Sequence, residues 1–207
     1  MGKLEFQEEG FWEECLQIMA DPGLFVKINR SKKCFIHMFS EISNQLSEYK
    51  LEKWHSISRG TKVSQGNSLQ LCPYQVLDVV RDFNPHSGLN IRALNWWGRG
   101  IYLFLFLGKE TAINFSKSPK SLFFNHLQNR GFHLALTDSP WDYQAIVDEG
   151  QAKLVDTPEE ASEFAILHGH IQVFKRLPYK KDLMSTQSDI FQEIVDLGNV
   201  IGDNGFR

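Results

Sequence analysis

The residues best suited to recognition chemistry lie in one short segment near the middle of the chain. Two arginines and a tryptophan pair, Arg92, Trp96, Trp97 and Arg99, occur within eight residues of one another. A guanidinium group binds carboxylates and phosphates with a planar fork of donors, and it also stacks on aromatic rings. Tryptophan and arginine are enriched among the residues that dominate protein interfaces. The four residues therefore predict a surface that binds a protein partner or a small anionic ligand.

The segment that carries these residues, 89–107, is predicted to form a β-hairpin. If Gly98 and Arg99 are its two-residue loop, glycine stands where such a turn requires a positive φ. Trp96 would then pair with Ile101, and Arg92 and Trp96 would share one face of the sheet. The residues expected on the opposite face, in the main core, are Ile91, Ala93, Phe104 and Phe106. The polar segment 59–68, which holds two glycines, is predicted to be a mobile loop that forms the recognition surface together with the hairpin.

A purely structural role is the alternative for the same residues. In that interpretation a helix covers the Arg92 face and both tryptophans belong to the core. Arg92 then pairs with a carboxylate such as Asp78 or Asp82, which the sequence places in a helix over 73–83. The two interpretations differ in whether Arg92 serves binding or stability.

A function of another class, a small metal-dependent hydrolase or nuclease, would use acids and histidines of the C-terminal half. Asp142, Gln151 and Lys153 are similar in type to the acid and Q-x-K residues of metal-dependent nucleases, in which the acid holds the ion. His168 and His170 add two imidazoles, but metal sites use at least three protein ligands. The standard nucleophile-elbow, phosphate-loop and zinc-helix motifs are absent from the chain. No catalytic residue, metal ligand or cofactor is assigned.

Composition limits the class of protein. The 207 residues carry a net charge of −3, which does not favour nucleic-acid binding, because such proteins show a basic excess. The three cysteines are widely spaced and form no C-x-x-C pair, so neither a zinc ribbon nor a redox motif is indicated. The N-terminal residues lack the apolar core of a secretion signal. The longest apolar run, 101–107, is much shorter than the about 20 residues that span a membrane. We expect a cytoplasmic protein without a membrane segment.

Four helix starts are predicted from a small capping residue followed by proline, which suits the first helical position. They are Cys72-Pro73, Ser118-Pro119, Ser139-Pro140 and Thr157-Pro158. Thr157 and Glu160 also form an S/T-x-x-E capping box. Helices are predicted over 8–20, 35–49, 73–83, 119–130, 140–149, 158–168 and 189–197. Strands are predicted over 24–29, 54–58, 111–115, 132–136, 152–155 and 171–174, in addition to the hairpin.

These elements predict one α+β domain over residues 1–207. The sheet is expected to be mixed but mostly antiparallel, with the hairpin at its centre and helices mainly on one face. The run 101–107 lacks polar alternation, which indicates a strand covered on both faces. The C-terminal residues, 198–207, are predicted to form a loosely ordered tail.

Overall fold

The computed structural model describes residues 10–117, 122–155 and 157–203, and its framework is a seven-stranded sheet. Four consecutive strands pair as neighbours: β1 (Thr61–Leu69), β2 (Cys72–Asp82), β3 (Leu89–Trp96) and β4 (Gly100–Gly108). Three more extend the sheet beyond β4: β5 (His133–Ala135), β6 (Ala152–Leu154) and β7 (His170–Leu177). The strand order is β1-β2-β3-β4-β7-β5-β6, and every pairing is antiparallel.

Helices supply the main core on one face of this sheet. They are α1 (Phe11–Ala20), α2 (Pro22–Leu46), α3 (Lys109–Lys117), α4 (Leu122–Asn129), α5 (Pro158–His168) and α6 (Leu183–Asp203). Buried side chains of α2 to α6 form one cluster with the sheet, whereas α1 contributes none. None of the helices among the described residues is long and apolar enough to cross a membrane. The predicted α+β class and its single-domain architecture are confirmed.

Strand β4 lies at the centre of the sheet, as the apolar run predicts. All nine of its residues are buried, so the strand is covered on both faces. The residues that face the helices are Ile101, Leu103, Leu105 and Leu107. Phe104 lies on the opposite face in a second apolar cluster, and Phe106 shares that face. The predicted placement of Phe104 and Phe106 in the main core is therefore wrong.

The cause is the length of the hairpin loop. Three residues, Trp97 to Arg99, connect the strands, and Trp96 pairs with Gly100 instead of Ile101. Gly98 and Gly100 both have positive φ, at 80° and 123°, and the Arg99 N–H donates to the Trp96 carbonyl. A register change of one residue moves each side chain of a strand to the other face. Arg92 consequently lies opposite Phe104.

Several predicted elements of the N-terminal half have a different structure. The predicted helix over 73–83 is strand β2, which lies between β1 and β3. Because both faces of β2 are buried through most of its length, its sequence lacks the alternation of apolar and polar residues that marks a half-exposed strand. The predicted loop 59–68 largely becomes β1, and the predicted strand 24–29 lies inside α2. There Asp21 caps the helix by accepting from Leu24 N, and Pro22 begins it. The predicted strand 111–115 belongs to α3, and 54–58 is not a strand.

The C-terminal half contains one confirmed helix start and two corrections. The Thr157 hydroxyl accepts from Glu160 N at 3.2 Å, as the capping box predicts. The predicted helix over 140–149 is instead a π-helical turn over Gln144–Asp148. Helix α6 begins at Leu183 and continues to Asp203, so the predicted loose tail is helical through that residue. Ser118 and Pro119 lie outside the described residues.

Candidate functional site

The candidate site lies on the sheet face opposite the main core. Arg92 of β3 and Asp78 of β2 are direct cross-strand partners on this face. The Arg92 Nε and Nη2 donate to the two Asp78 oxygens at 2.7 and 3.0 Å, and Nη1 donates to the Tyr143 hydroxyl at 2.6 Å. Burial lowers the pKa of Arg92, but hydrogen bonds and charge from Asp78 and Tyr143 raise the pKa above its ordinary value overall. The guanidinium is therefore a permanently charged and tightly held group.

Two half-exposed aromatic rings lie against this guanidinium at the protein surface. The Arg92 guanidinium carbon is 4.9 Å from the ring centre of Trp141 and 5.9 Å from that of Phe83. The Phe83 and Trp141 rings meet edge to face at 5.5 Å, and Trp141 stacks on Phe106 at 5.8 Å. Phe83 and Trp141 are 40% and 41% exposed. We call Phe83, Arg92, Phe106 and Trp141 the aromatic patch.

A buried asparagine side chain also binds the carboxylate of this ion pair. Asn90 is 1% exposed, and its Nδ2 donates to Asp78 Oδ1 at 3.1 Å. Its Oδ1 has no hydrogen-bond partner within the described ranges. Asp78 thus accepts hydrogen bonds from both Arg92 and Asn90, and both of its carboxylate oxygens have partners inside the protein.

Residues 139–151 lie over the rest of this sheet face and form what we call the covering segment. Tyr143 at its centre meets Phe104 at 4.9 Å between ring centres and accepts from Arg92. At one end, Arg99 Nη2 donates to Asp148 Oδ2 at 2.9 Å. At the other end, the Gln172 amide donates to the Pro140 carbonyl. Two of the predicted recognition residues, Arg92 and Arg99, therefore hold this segment on the sheet.

The structure divides the two tryptophans between different environments. Trp96 is fully buried on the Arg92 face, where its Nε1 donates to the Leu69 carbonyl and the Arg99 guanidinium lies 4.6 Å from its ring. Trp97 is half-buried, and its Nε1 donates to Gln75 Oε1 at 3.0 Å, on the helix side of the sheet. Arg92, Trp96 and Arg99 are thus brought to one face, and Trp97 is separated from them.

Three residues of this site were not singled out from the sequence: Phe83, Trp141 and Tyr143. For Trp141 and Tyr143 the sequence signal is local composition, since two aromatics stand close together in the short segment S-P-W-D-Y, which lacks a regular apolar period. Tyr143 reaches Arg92 across 51 positions of the chain. Nothing local predicts a contact of that separation.

The acids and histidines of the hydrolase hypothesis make separate local contacts. Asp142 accepts from Ala145 N, Lys153 pairs with Glu160, and Gln151 donates to Glu149. His168 contacts Asp138 at 2.8 Å, while burial lowers the pKa of His170. Across the described part of the chain, no three His, Cys, Asp or Glu side chains converge as a metal-ligand set.

The site therefore consists of the aromatic patch at the surface and the covering segment that hydrogen bonds hold on the sheet beside it. Its charges are paired, its aromatic rings are partly in water, and its hydrogen bonds fix the arginine in one orientation. Such a surface can contact another molecule without rearranging. Comparison with protein-family models, with curated proteins and with solved structures finds no match to this chain.

Proposed function

We propose that this protein is an interaction module that binds a protein partner through the aromatic patch at the base of the hairpin. The observation that carries the proposal is the position of Trp141. This side chain is 41% exposed, yet it is held by Phe83, Phe106 and Arg92 at ring distances of 5.5, 5.8 and 4.9 Å. Large aromatic side chains that are already immobilised lose little rotamer entropy on binding, and they dominate protein interfaces.

A protein partner is favoured over a small anionic ligand because the arginine charges are already paired. Arg92 is engaged by Asp78, and Arg99 by Asp148 at 2.9 Å. An incoming carboxylate or phosphate would have to compete with an internal carboxylate at each position. An apolar partner surface needs only to cover the rings of Phe83 and Trp141, with no ion pair to break.

The cytoplasm is the compartment that fits this role. Cys15, Cys34 and Cys72 are all free thiols, and Cys34 is exposed. Exposed thiols persist in reducing compartments, whereas oxidising ones promote disulfides. The proposal therefore places the interaction among cytoplasmic proteins.

Co-purification with tagged protein from the native cell, read by quantitative mass spectrometry, tests the proposed function. Trp141→Ala and Phe83→Ser remove rings whose outer surfaces already meet water, so both variants are expected to remain folded. A partner retained by the wild type should be lost from both. Leu167→Ala, which truncates an exposed side chain of α5 outside the aromatic patch, is the matched control and should retain it. Identical sets of bound proteins for all four would contradict the proposal.

A further inference from the structure

A cleft of about 450 Å³ lies between helix α2 and the edge strand β1. Its lining residues on α2 extend over 29–40, which is about 16 Å of helix at 1.5 Å per residue. Ser43 and Thr61 join the two elements just beyond one end, with their hydroxyl oxygens 2.6 Å apart. Lys32 also reaches β1, where its Nζ donates to Asn67 Oδ1 at 2.7 Å. These hydrogen bonds hold α2 against β1 and leave a space between them of the size that small ligands occupy.

The lining of this cleft follows one stripe of α2 and is rich in hydrogen-bond donors. The stripe residues recur at intervals of three and four positions, which places them on one side of the helix. They are Asn29, Lys32, Lys33, Ile36, His37 and Ser40. Strand β1 contributes Gln65. Every one of these side chains except Ile36 can donate a hydrogen bond, so the cleft suits a ligand that is rich in acceptors.

The protein does not neutralise the positive charge of this cleft. Within the described ranges, neither Lys32 nor Lys33 forms an ion pair with a carboxylate. Strand β1 contains no acidic residue, and α2 contains one, Glu41, which does not line the cleft. The two arginines beside the covering segment differ in this respect, because each is bound to an internal carboxylate. An anion that enters the α2–β1 cleft therefore has no internal carboxylate to displace.

A buried donor without a partner lies next to the cleft. Gln75 is the direct cross-strand partner of Gln65, so the two side chains are neighbours on one face of the sheet. Gln75 is 0% exposed, and its Oε1 accepts from Asn95 and Trp97, whereas its Nε2 has no partner in the described part of the chain. The Gln65 amide makes no hydrogen bond to the described residues either. An unpartnered buried donor is rare in folded proteins, and here it marks a position at which an acceptor is missing.

We infer that this cleft binds a small organic phosphate. Lysine binds phosphate as a point charge, and the described lining holds two lysines but no arginine, whose planar fork matches a carboxylate. Lys32, Lys33 and His37 donate to the phosphate oxygens, and the organic group lies against Ile36.

Gln65 connects the bound phosphate to the buried donor. Its Nε2 donates to a phosphate oxygen, and its Oε1 then accepts from the Nε2 of Gln75, because an amide offers a donor and an acceptor at the same time. Ligand binding thereby supplies the acceptor that Gln75 lacks. The cleft lies on the helix side of the sheet and the aromatic patch on the other, so the two proposals stand independently.

Titration of the ¹⁵N-labelled full chain with phenyl phosphate, in a phosphate-free buffer at physiological ionic strength, tests the inference. Amide resonances over 29–40 are expected to shift with one dissociation constant. The side-chain amide resonances of Gln65 and Gln75 should shift with the same constant. Phenol, which lacks the phosphate, should cause no shifts, and benzoate should bind at least about tenfold more weakly because its carboxylate offers fewer oxygens to the lysines.

Matched lysine variants separate a built site from general attraction of anions. Lys33→Gln removes an exposed cation of the cleft and should raise the dissociation constant of phenyl phosphate about tenfold, since a hydrogen bond to a charged group is lost. Lys27→Gln makes the same change on an exposed lysine of the same helix that does not line the cleft, and it should leave the constant unchanged. Gln65→Ala should weaken binding and leave the Gln75 side-chain resonance unmoved by the ligand. Circular dichroism checks that each variant is folded.

Four results would overturn the inference. The first is an absence of shifts at every concentration of phenyl phosphate. The second is an equal loss of binding in Lys33→Gln and Lys27→Gln, which would reduce the effect to general charge attraction. The third is benzoate binding as tightly as phenyl phosphate, which would assign the cleft to carboxylates. The fourth is an octaglutamate peptide that binds more tightly than phenyl phosphate, which would assign the cleft to an acidic protein segment.

Discussion

Arg92 and Asp78 form a two-pronged ion pair directly across β3 and β2, with donor–acceptor distances of 2.7 and 3.0 Å. Their side chains are 18% and 9% exposed, so the pair is largely removed from water. Removing one partner of a buried pair leaves the other charge uncompensated, which costs far more than loss of a surface pair. Arg92 therefore belongs to the aromatic patch and at the same time stabilises the pairing of β2 and β3 through Asp78.

Arg92→Ala should lower the free energy of unfolding by about 3–5 kcal/mol, because Asp78 would remain charged and buried. Arg99→Ala is the matched control, since the side chains of its pair with Asp148 are 26% and 31% exposed and the pair should contribute much less to stability. Urea unfolding followed by tryptophan fluorescence measures both. A loss below about 1 kcal/mol for Arg92→Ala would show that the guanidinium does not stabilise the fold.

Phe104→Ala should cost about 3–5 kcal/mol of stability because it opens a cavity under the covering segment. The ring lies 5.5 Å from Phe174 and 4.9 Å from Tyr143, and it is almost fully buried. Phe104→Leu keeps most of the volume and should cost less than about 1.5 kcal/mol. Chemical denaturation compares the two variants, and equal losses would argue against a cavity effect.

Thr157→Ala should reduce stability by about 1 kcal/mol, since the hydroxyl satisfies the Glu160 N–H at the start of α5. Thr157→Ser keeps the acceptor oxygen and should retain most of that contribution. Thermal unfolding measures the difference. An unchanged midpoint for Thr157→Ala would mean that this cap does not stabilise the helix.

Gly198→Ala should destabilise the protein although alanine normally favours a helix interior. An added Cβ would meet ring atoms of the buried Trp54 at 2.3–2.4 Å, so we expect overpacking to cost about 1–3 kcal/mol. Gly202→Ala, one helical turn later, is the control, because its Cβ would meet the Lys53 carbonyl oxygen at 3.2 Å and Trp54 Cδ1 at 3.5 Å, which are much looser contacts. Its stability should be higher than that of Gly198→Ala, and the reverse order would contradict the packing of α6 on Trp54.

Stability should fall as the pH decreases below about 6.5, the ordinary pKa of histidine. Burial lowers the pKa of His170 and of His126 in the folded protein. The unfolded chain therefore binds more protons below that pH, so the stability present above pH 6.5 is lost on acidification. His170→Gln should reduce this slope below about pH 6.5 while leaving the slope above pH 7 unchanged. Unfolding at a series of pH values measures the slopes, and an identical acidic slope would contradict the prediction.

Elements with a strong local signal were predictable from the sequence alone. Thr157 followed by proline and Glu160 specifies a helix start through contacts within four residues. The run 101–107 is apolar at every position and follows a glycine turn, which favours a strand covered on both faces. The hairpin of β3 and β4, the α+β class and the helices on one face follow from signals of this kind.

The register of the hairpin required the tertiary structure. Loops of two and of three residues are both compatible with W-W-G-R-G, and the choice moves Phe104 from one face to the other. Strand β2 was equally ambiguous, because a strand between two neighbours with both faces buried carries an apolar spacing that also fits a helix. Pairing with β1 and β3 decides its conformation.

The composition of the candidate site also depended on contacts far apart in sequence. The residue types at positions 92 and 99 indicated a place where charge and aromatic surface meet. Asp78 was one of the two carboxylates that the structural interpretation offered as a partner for Arg92. Trp141 and Tyr143 reach Arg92 only when the covering segment packs on the sheet, and Phe83 reaches it because β2, which ends at Asp82, pairs with β3. Local chemistry thus indicated the segment that supplies the charged side chains, and long-range packing decided which residues surround them and which are buried, paired or left in water.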